Sequence, residues 1–145
     1  MPDSSSSEAQ IRHIYEKWHE TVTARDLEGV LALYAEDATM ETPAILALVD
    51  GSQDAILKGR SEIRKLFANF FQVFGHEFGE LYRTGLFFAD GRLLTWEYPR
   101  KTPHGEQVDL FESMDIENGL IAYHRVYWGW KGFRALIAAR DRRNP

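Results

Sequence analysis

A chain of 145 residues has the usual size of one domain and is long enough to bury a core. Its net charge of −5 excludes the basic footprint of a nucleic-acid binder, and the absence of cysteine excludes disulfides, thiolate catalysis and Cys-ligated zinc. No run approaches the roughly 20 apolar residues of a membrane span, and the polar, Ser-rich Met1 to Ser7 holds no signal peptide, so a cytoplasmic protein without membrane partners is expected.

Residues 1–7 read as a disordered lead-in, and the domain proper is expected over residues 8–131. Ser5, with Glu8 three residues on, can open the first helix through a capping box, and Ile11, Ile14, Tyr15, Trp18 and Val22 then recur at helical spacing. Asp26 can cap a short second helix that buries Leu27, Val30, Leu31 and Tyr34. A strand from Ala38 to Thr42 is stopped by Pro43, and Ala44 to Gly59 reads as a loop with room for one irregular turn. A third helix is predicted over Ser61 to Phe74, burying Ile63, Leu66, Phe67, Phe70 and Phe74 and ending at Gly75.

After Gly75 the apolar period shortens to two. Asp90-Gly91 is a two-residue hairpin signal between the strands Leu81–Phe88 and Leu93–Lys101. Thr102-Pro103-His104-Gly105 turns the chain into Glu106–Ile116, and Glu117-Asn118-Gly119 turns it into Leu120–Trp130. Helices first and a meander afterwards define an α+β fold, three helices packed on a curved antiparallel sheet around a pocket. Residues 132–145 form an Arg-rich tail, able to make a last helical turn or to dock on a partner chain.

Alternate strand residues share a face, so Leu110, Glu112 and Met114 lie on one side and Asp109, Phe111 and Ser113 on the other. If the chain reverses through three residues, Glu117-Asn118-Gly119, Ile116 meets Leu120 and Glu112 meets His124; a two-residue reversal places Arg125 opposite Glu112 instead. The first form unites two apolar sides and is preferred, since a one-residue slip would expose them. An even-length connection at Thr102–Gly105 then puts Thr95, Glu97 and Pro99 on the inner side, joined by Tyr82, Thr84, Leu86 and Phe88. Trp96, Tyr98, Phe111, Tyr123 and Tyr127 would face outward, an aromatic surface that argues for a homodimer.

Glu97, Glu112 and His124 are thus the ionisable groups of the expected inner face. A buried carboxylate must be paired, protonated or wet, and an imidazole beside it can exchange protons near neutral pH. That suits acid–base chemistry, with Glu112 as acid, His124 as its base or orienting partner and Glu97 as second carboxylate. The competing reading is a satisfied structural Glu112–His124 pair. Tyr15, Trp18, Thr42, Phe67 and Phe70, with Leu110, Val126 and Trp128, would wall the pocket around a small apolar or aromatic molecule. His19 is expected at the rim, and His13, His76 and His104 at the surface or in turns. No two His stand at metal-ligand spacing on one helix, and neither metal nor cofactor is expected.

The run Arg25-Asp-Leu-Glu-Gly-Val-Leu-Ala-Leu-Tyr-Ala-Glu-Asp-Ala-Thr-Met-Glu-Thr-Pro43 resembles the helix-to-strand signature of SnoaL-like proteins, of the nuclear-transport-factor-2-like superfamily. Lys58-Gly59-Arg60 before the third helix and the order of the meander up to Trp130 are similar too, so the resemblance spans roughly residues 8–130 and implies a cystatin-like roll with a cone-shaped pocket. Steroid isomerases of this superfamily place a general-base Asp where this chain has Thr42 and a Tyr where it has Trp18, while their protonated Asp falls at or near Glu112. Its epoxide hydrolases use an Arg and two Asp at positions that fall on Glu97, Pro99 and Val126. Neither activity carries over. The resemblance implies a small-molecule pocket with cofactor-free isomerase, cyclase, dehydratase or hydrolase chemistry, or else a non-catalytic ligand-binding or dimerisation domain.

Overall fold

The computed structural model of the chain describes residues 5–73, 86–101 and 107–143, with the backbone alone at 98–101 and 107–109. Several expectations lie outside these residues: the Gly75 helix stop with Phe74, the inward Tyr82 and Thr84, His76, the Thr102–Gly105 turn with His104, and the facing of Tyr98 and Pro99.

Helix α1, Glu8–Thr23, is capped by Ser7 rather than Ser5: the Ser7 hydroxyl accepts from the Gln10 N–H, and the Gln10 side chain accepts from the Ser7 N–H. Ser6 is tied down as well, donating to the Ile116 carbonyl at 2.8 Å and accepting from the Gly119 N–H at 3.1 Å. The expected stripe of α1 is buried, and His19 is buried with it rather than standing at a rim. Asp26 caps α2, Leu27–Leu31, which stops before Tyr34. Tyr34 instead opens strand β1, Tyr34–Glu41. The segment expected as loop contains α3, Ala44–Leu48, and a short strand β2, Ile56–Lys58. Helix α4, Arg60–Val73, buries Ile63, Leu66, Phe67 and Phe71.

The remaining strands are β3, Phe88–Asp90; β4, Leu93–Lys101; β5, Gln107–Glu117; and β6, Leu120–Trp128. The sheet runs in the order β2-β1-β6-β5-β4-β3, and its pairs are antiparallel except β1 with β6, where Met40 stands beside His124. The fold is therefore α+β as expected, with a mixed sheet in place of a purely antiparallel one. The meander's last strand returns to run alongside β1 in the same direction.

Two local features decide which side chains face the helices. The β5–β6 reversal is the two-residue form, with Glu117 opposite Leu120 and with Asn118 and Gly119 at φ 52° and 78°. Alone it would bring Arg125 inward, but a bulge near Ala122 adds one residue to β6 and shifts the pairing, so Met114 meets His124 and Glu112 meets Val126. Ile121 faces in before the bulge and His124 after it, while Leu120 is exposed. The second feature is the Lys101–Gln107 pair, which leaves five residues, 102–106, between β4 and β5. An odd connection reverses the parity expected for β4. Trp96 pairs with Glu112 and is buried at 1% exposure, whereas Glu97 pairs with Phe111 and is exposed. Phe88 and Leu86, also expected inside, are 69% and 52% exposed.

The Arg-rich tail folds as α5, Trp130–Arg143, burying Leu136 and Ala139 against β5 and α3. Arg143 donates to the Ala47 carbonyl and to the Asp50 carboxylate, each at 3.3 Å. The tail thus docks on its own domain. Among the described residues no helix is long and apolar enough to cross a membrane.

Candidate functional site

Between the inner face of the sheet and helices α1 and α4 lies a cavity of about 60 Å³. The sheet contributes Met40 from β1, Leu110 and Glu112 from β5, and His124, Val126 and Trp128 from β6. Helix α1 adds Trp18 and Val22, α4 adds Leu66, Phe67 and Phe70, and Thr42 and Ala44 close the end of β1. Among the described residues, Glu112 and His124 are the ionisable side chains on this wall, 3% and 1% exposed. Among the described residues no cluster of three or more His, Asp or Glu could hold a metal ion.

Of the expected wall residues, Tyr15 does not reach the cavity. Its ring packs 4.6 Å from Phe87 and 5.3 Å from Trp96, which fills the space expected for Glu97. Glu97 itself projects from the opposite face of the sheet and cannot act with Glu112. Val22 and Leu66, marked by the helix patterns only as buried, are wall residues too, as are Met40 of the expected strand and Ala44 of the expected loop.

Glu112 and His124 are diagonal neighbours on the inner face, two residues out of register, and His124 Nε2 is hydrogen-bonded to Glu112 Oε2. Tyr34 Oη lies 2.7 Å from His124 Nδ1 on the other side of the ring, and Trp18 Nε1 lies 3.3 Å from Tyr34 Oη. The direction of this chain follows from donor chemistry. An indole N–H can only donate, so Tyr34 Oη accepts from Trp18 and turns its own proton toward Nδ1. Nδ1 then carries the lone pair, Nε2 carries the ring proton, and Glu112 is the acceptor that ends the chain. Arg60 holds the start of β1 by donating from Nε and Nη2 to the Tyr34 carbonyl at 3.1 and 2.6 Å.

Tyr34 was hidden from sequence reading because it follows the apolar spacing of α2. Counting back in twos from Thr42, Met40 and Ala38 would have reached it, had Glu36 and a register shift between Tyr34 and Thr39 not broken the alternation. Burial pushes the Tyr34 hydroxyl well above its ordinary value of 10.0, with the Trp18 N–H opposing and the Glu112 charge adding to the rise. The folded protein therefore keeps this proton where the unfolded chain loses it, so the Tyr34 contribution to stability is full below pH 10.0 and is lost above it. Tyr34→Phe is expected to lower stability by about 1–3 kcal/mol at neutral pH. It should also flatten the alkaline loss, and urea unfolding from about pH 8 to pH 11 would refute this if both proteins gave equal slopes.

Helices packed on one face of a curved mixed sheet around a cavity define the cystatin-like, NTF2-like class of folds. Residues 15–124 match the SnoaL-like domain, and the chain belongs to that family. A SnoaL-like protein of unknown function from Burkholderia thailandensis superposes with a TM-score of 0.67 at 14% identity, over 86% of this chain and 98% of that one. TerC, co-crystallised with polyporic acid, gives a TM-score of 0.67 at 16% identity, over 89% and 98% of the two chains. A putative ketosteroid isomerase from Kribbella flavida gives 0.55 at 20% identity, over 83% and 78%. At these identities the likeness is one of fold. Among curated protein sequences none matches the chain.

Proposed function

We propose that the cavity takes up a small, mostly apolar, oxygen-bearing molecule and that Glu112 and His124 exchange a proton with it. One observation carries this reading: a hydrogen-bonded carboxylate–imidazole pair, both members nearly fully buried, forms the ionisable part of an otherwise apolar wall. TerC, which shares the fold, was crystallised with polyporic acid, in accord with a small-molecule occupant. A volume of about 60 Å³ corresponds to roughly four to six waters, which suits a single-ring molecule.

The direction of the hydrogen-bond chain favours Glu112 as base rather than acid, and leaves His124 as its orienting partner. Glu112, as terminal acceptor, takes a proton from the substrate, while the His124 N–H orients the carboxylate by donating to it. Returning that proton to a different atom gives isomerisation or cyclisation, and returning it to a leaving oxygen gives dehydration. Each step uses only groups of this chain. The test is a thermal-shift screen of single-ring ketones, phenols and lactones, followed by NMR detection of proton exchange in a hit dissolved in D₂O. Binders raise the melting temperature by mass action, and a screen in which none does so overturns the pocket reading.

The outer face supports association between two copies of the chain. Tyr127 and Phe111 pack together there, 6.1 Å between centroids, yet remain 56% and 39% exposed. Beside them Tyr123 donates to Glu41 at 2.8 Å and Arg125 pairs with Asp115 at 3.1 Å, a satisfied polar border around an aromatic centre. Light scattering at about 100 μM protein should give the mass of a dimer, and a monomer mass there rejects the interface.

A further inference from the structure

We propose that Thr42 is the specificity-determining donor of the cavity, holding an acceptor oxygen of the ligand, such as a carbonyl or ether, across from Glu112. The assignment rests on the pocket reading above. Thr42 is 2% exposed and stands on the cavity wall. A threonine hydroxyl has two lone pairs and one proton. Both lone pairs are engaged by groups that can only donate: Trp128 Nε1–H at 3.0 Å and the Ala44 backbone N–H at 3.2 Å. What is left is the proton, and among the described residues no acceptor receives it.

Among the described residues, each of the other side-chain polar hydrogens on this wall already points at a protein acceptor. The Trp18 N–H goes to Tyr34, the Trp128 N–H to Thr42 and the His124 Nε2–H to Glu112. Thr42 therefore offers the ligand a donor, and Glu112, a carboxylate, can only accept. The two sit on opposite sides of β6, because Thr42 follows Glu41, the neighbour of Arg125, and Glu112 pairs with Val126. Two strand spacings separate their backbones by about 10 Å, and side chains reaching inward from both leave the span of one ring. The ligand class this selects is an apolar ring with an acceptor oxygen on one side and a removable proton toward the other. An ammonium or amide N–H in place of that oxygen would find no lone pair at Thr42.

Cyclohexanone and methylenecyclohexane differ only in exchanging C=O for C=CH₂, and their dissociation constants can be measured by chemical-shift titration. The wild type is expected to prefer the ketone about fivefold, the worth of one neutral hydrogen bond. Thr42→Val should bind both equally, and Thr42→Ser should restore the preference. Because the comparison is between two ligands on one protein, a general loss of stability in Thr42→Val does not alter the ratio. If that variant does not fold, the infrared carbonyl band of cyclohexanone bound to wild type decides: a shift to lower frequency than in hexane supports the donor, and an unshifted band overturns it. Equal binding of both ligands to wild type, or a preference that survives Thr42→Val, overturns the assignment alone. Binding of neither overturns the pocket reading with it.

Discussion

Glu112→Gln is expected to slow proton exchange of a bound ketone in D₂O by a factor of about 10²–10⁴, while its affinity stays nearly unchanged. Glutamine has the shape of glutamate and keeps an amide oxygen that can accept from His124 Nε2–H, so the contact beneath the ligand survives. What disappears is the site that can hold a transferred proton. NMR exchange rates at saturating ligand measure the first effect, and ligand-induced thermal shifts measure the second. Unchanged exchange removes Glu112 from the proposed role. Loss of affinity together with exchange marks it as a scaffold residue. Binding without exchange in the wild type leaves the chain as a ligand-binding domain without chemistry.

Trp96→Ala carries the largest expected effect on stability. The indole is 1% exposed and lies 5.3 Å from Tyr15 and 5.4 Å from Trp18, at the junction of α1 with the sheet. Removing it costs about 3–5 kcal/mol, a large part of the usual total for a domain, and lowers Tm by roughly 6–20 °C. Glu97→Ala, one residue away on the outer face, should change stability by less than about 0.5 kcal/mol. Calorimetry on the pair checks the facing of β4 directly, since the opposite parity would exchange the two results.

The helices that build the cavity were legible because α1 and α4 show their stripes plainly: Ile11, Ile14, Tyr15, Trp18 and Val22 in one, Ile63, Leu66 and Phe67 in the other, all buried. The strands were harder, since facing is a matter of odd and even and each loop can invert it. At β4 the five residues between Lys101 and Gln107 did so, exchanging Glu97 for Trp96. At β6 two deviations cancelled. The tight Asn118-Gly119 reversal would have turned His124 away, and the bulge near Ala122 turned it back, so Glu112 and His124 share a face by a route different from the one expected. A bulge has no signature in a single sequence. Tyr34 was masked for the converse reason: its spacing fits α2, and only the pairing of β1 with β6 claims it for the strand. Helix α5 had no apolar stripe to announce it, with Leu136 and Ala139 among arginines, and it is held by contacts to α3 and β5.

The parallel seat of β1 beside β6 also sets when this protein can assemble. Tyr34 and His124 are 90 residues apart in the chain, so on the ribosome the earlier strand waits roughly five to twenty seconds for its neighbour to be made. Until then β2 can pair with one of its edges, but the other edge has no partner. A product interrupted before the last strand should be a client of chaperones and proteases rather than a smaller folded unit, and assembly should be slow for a domain of this size, as long-range pairing demands.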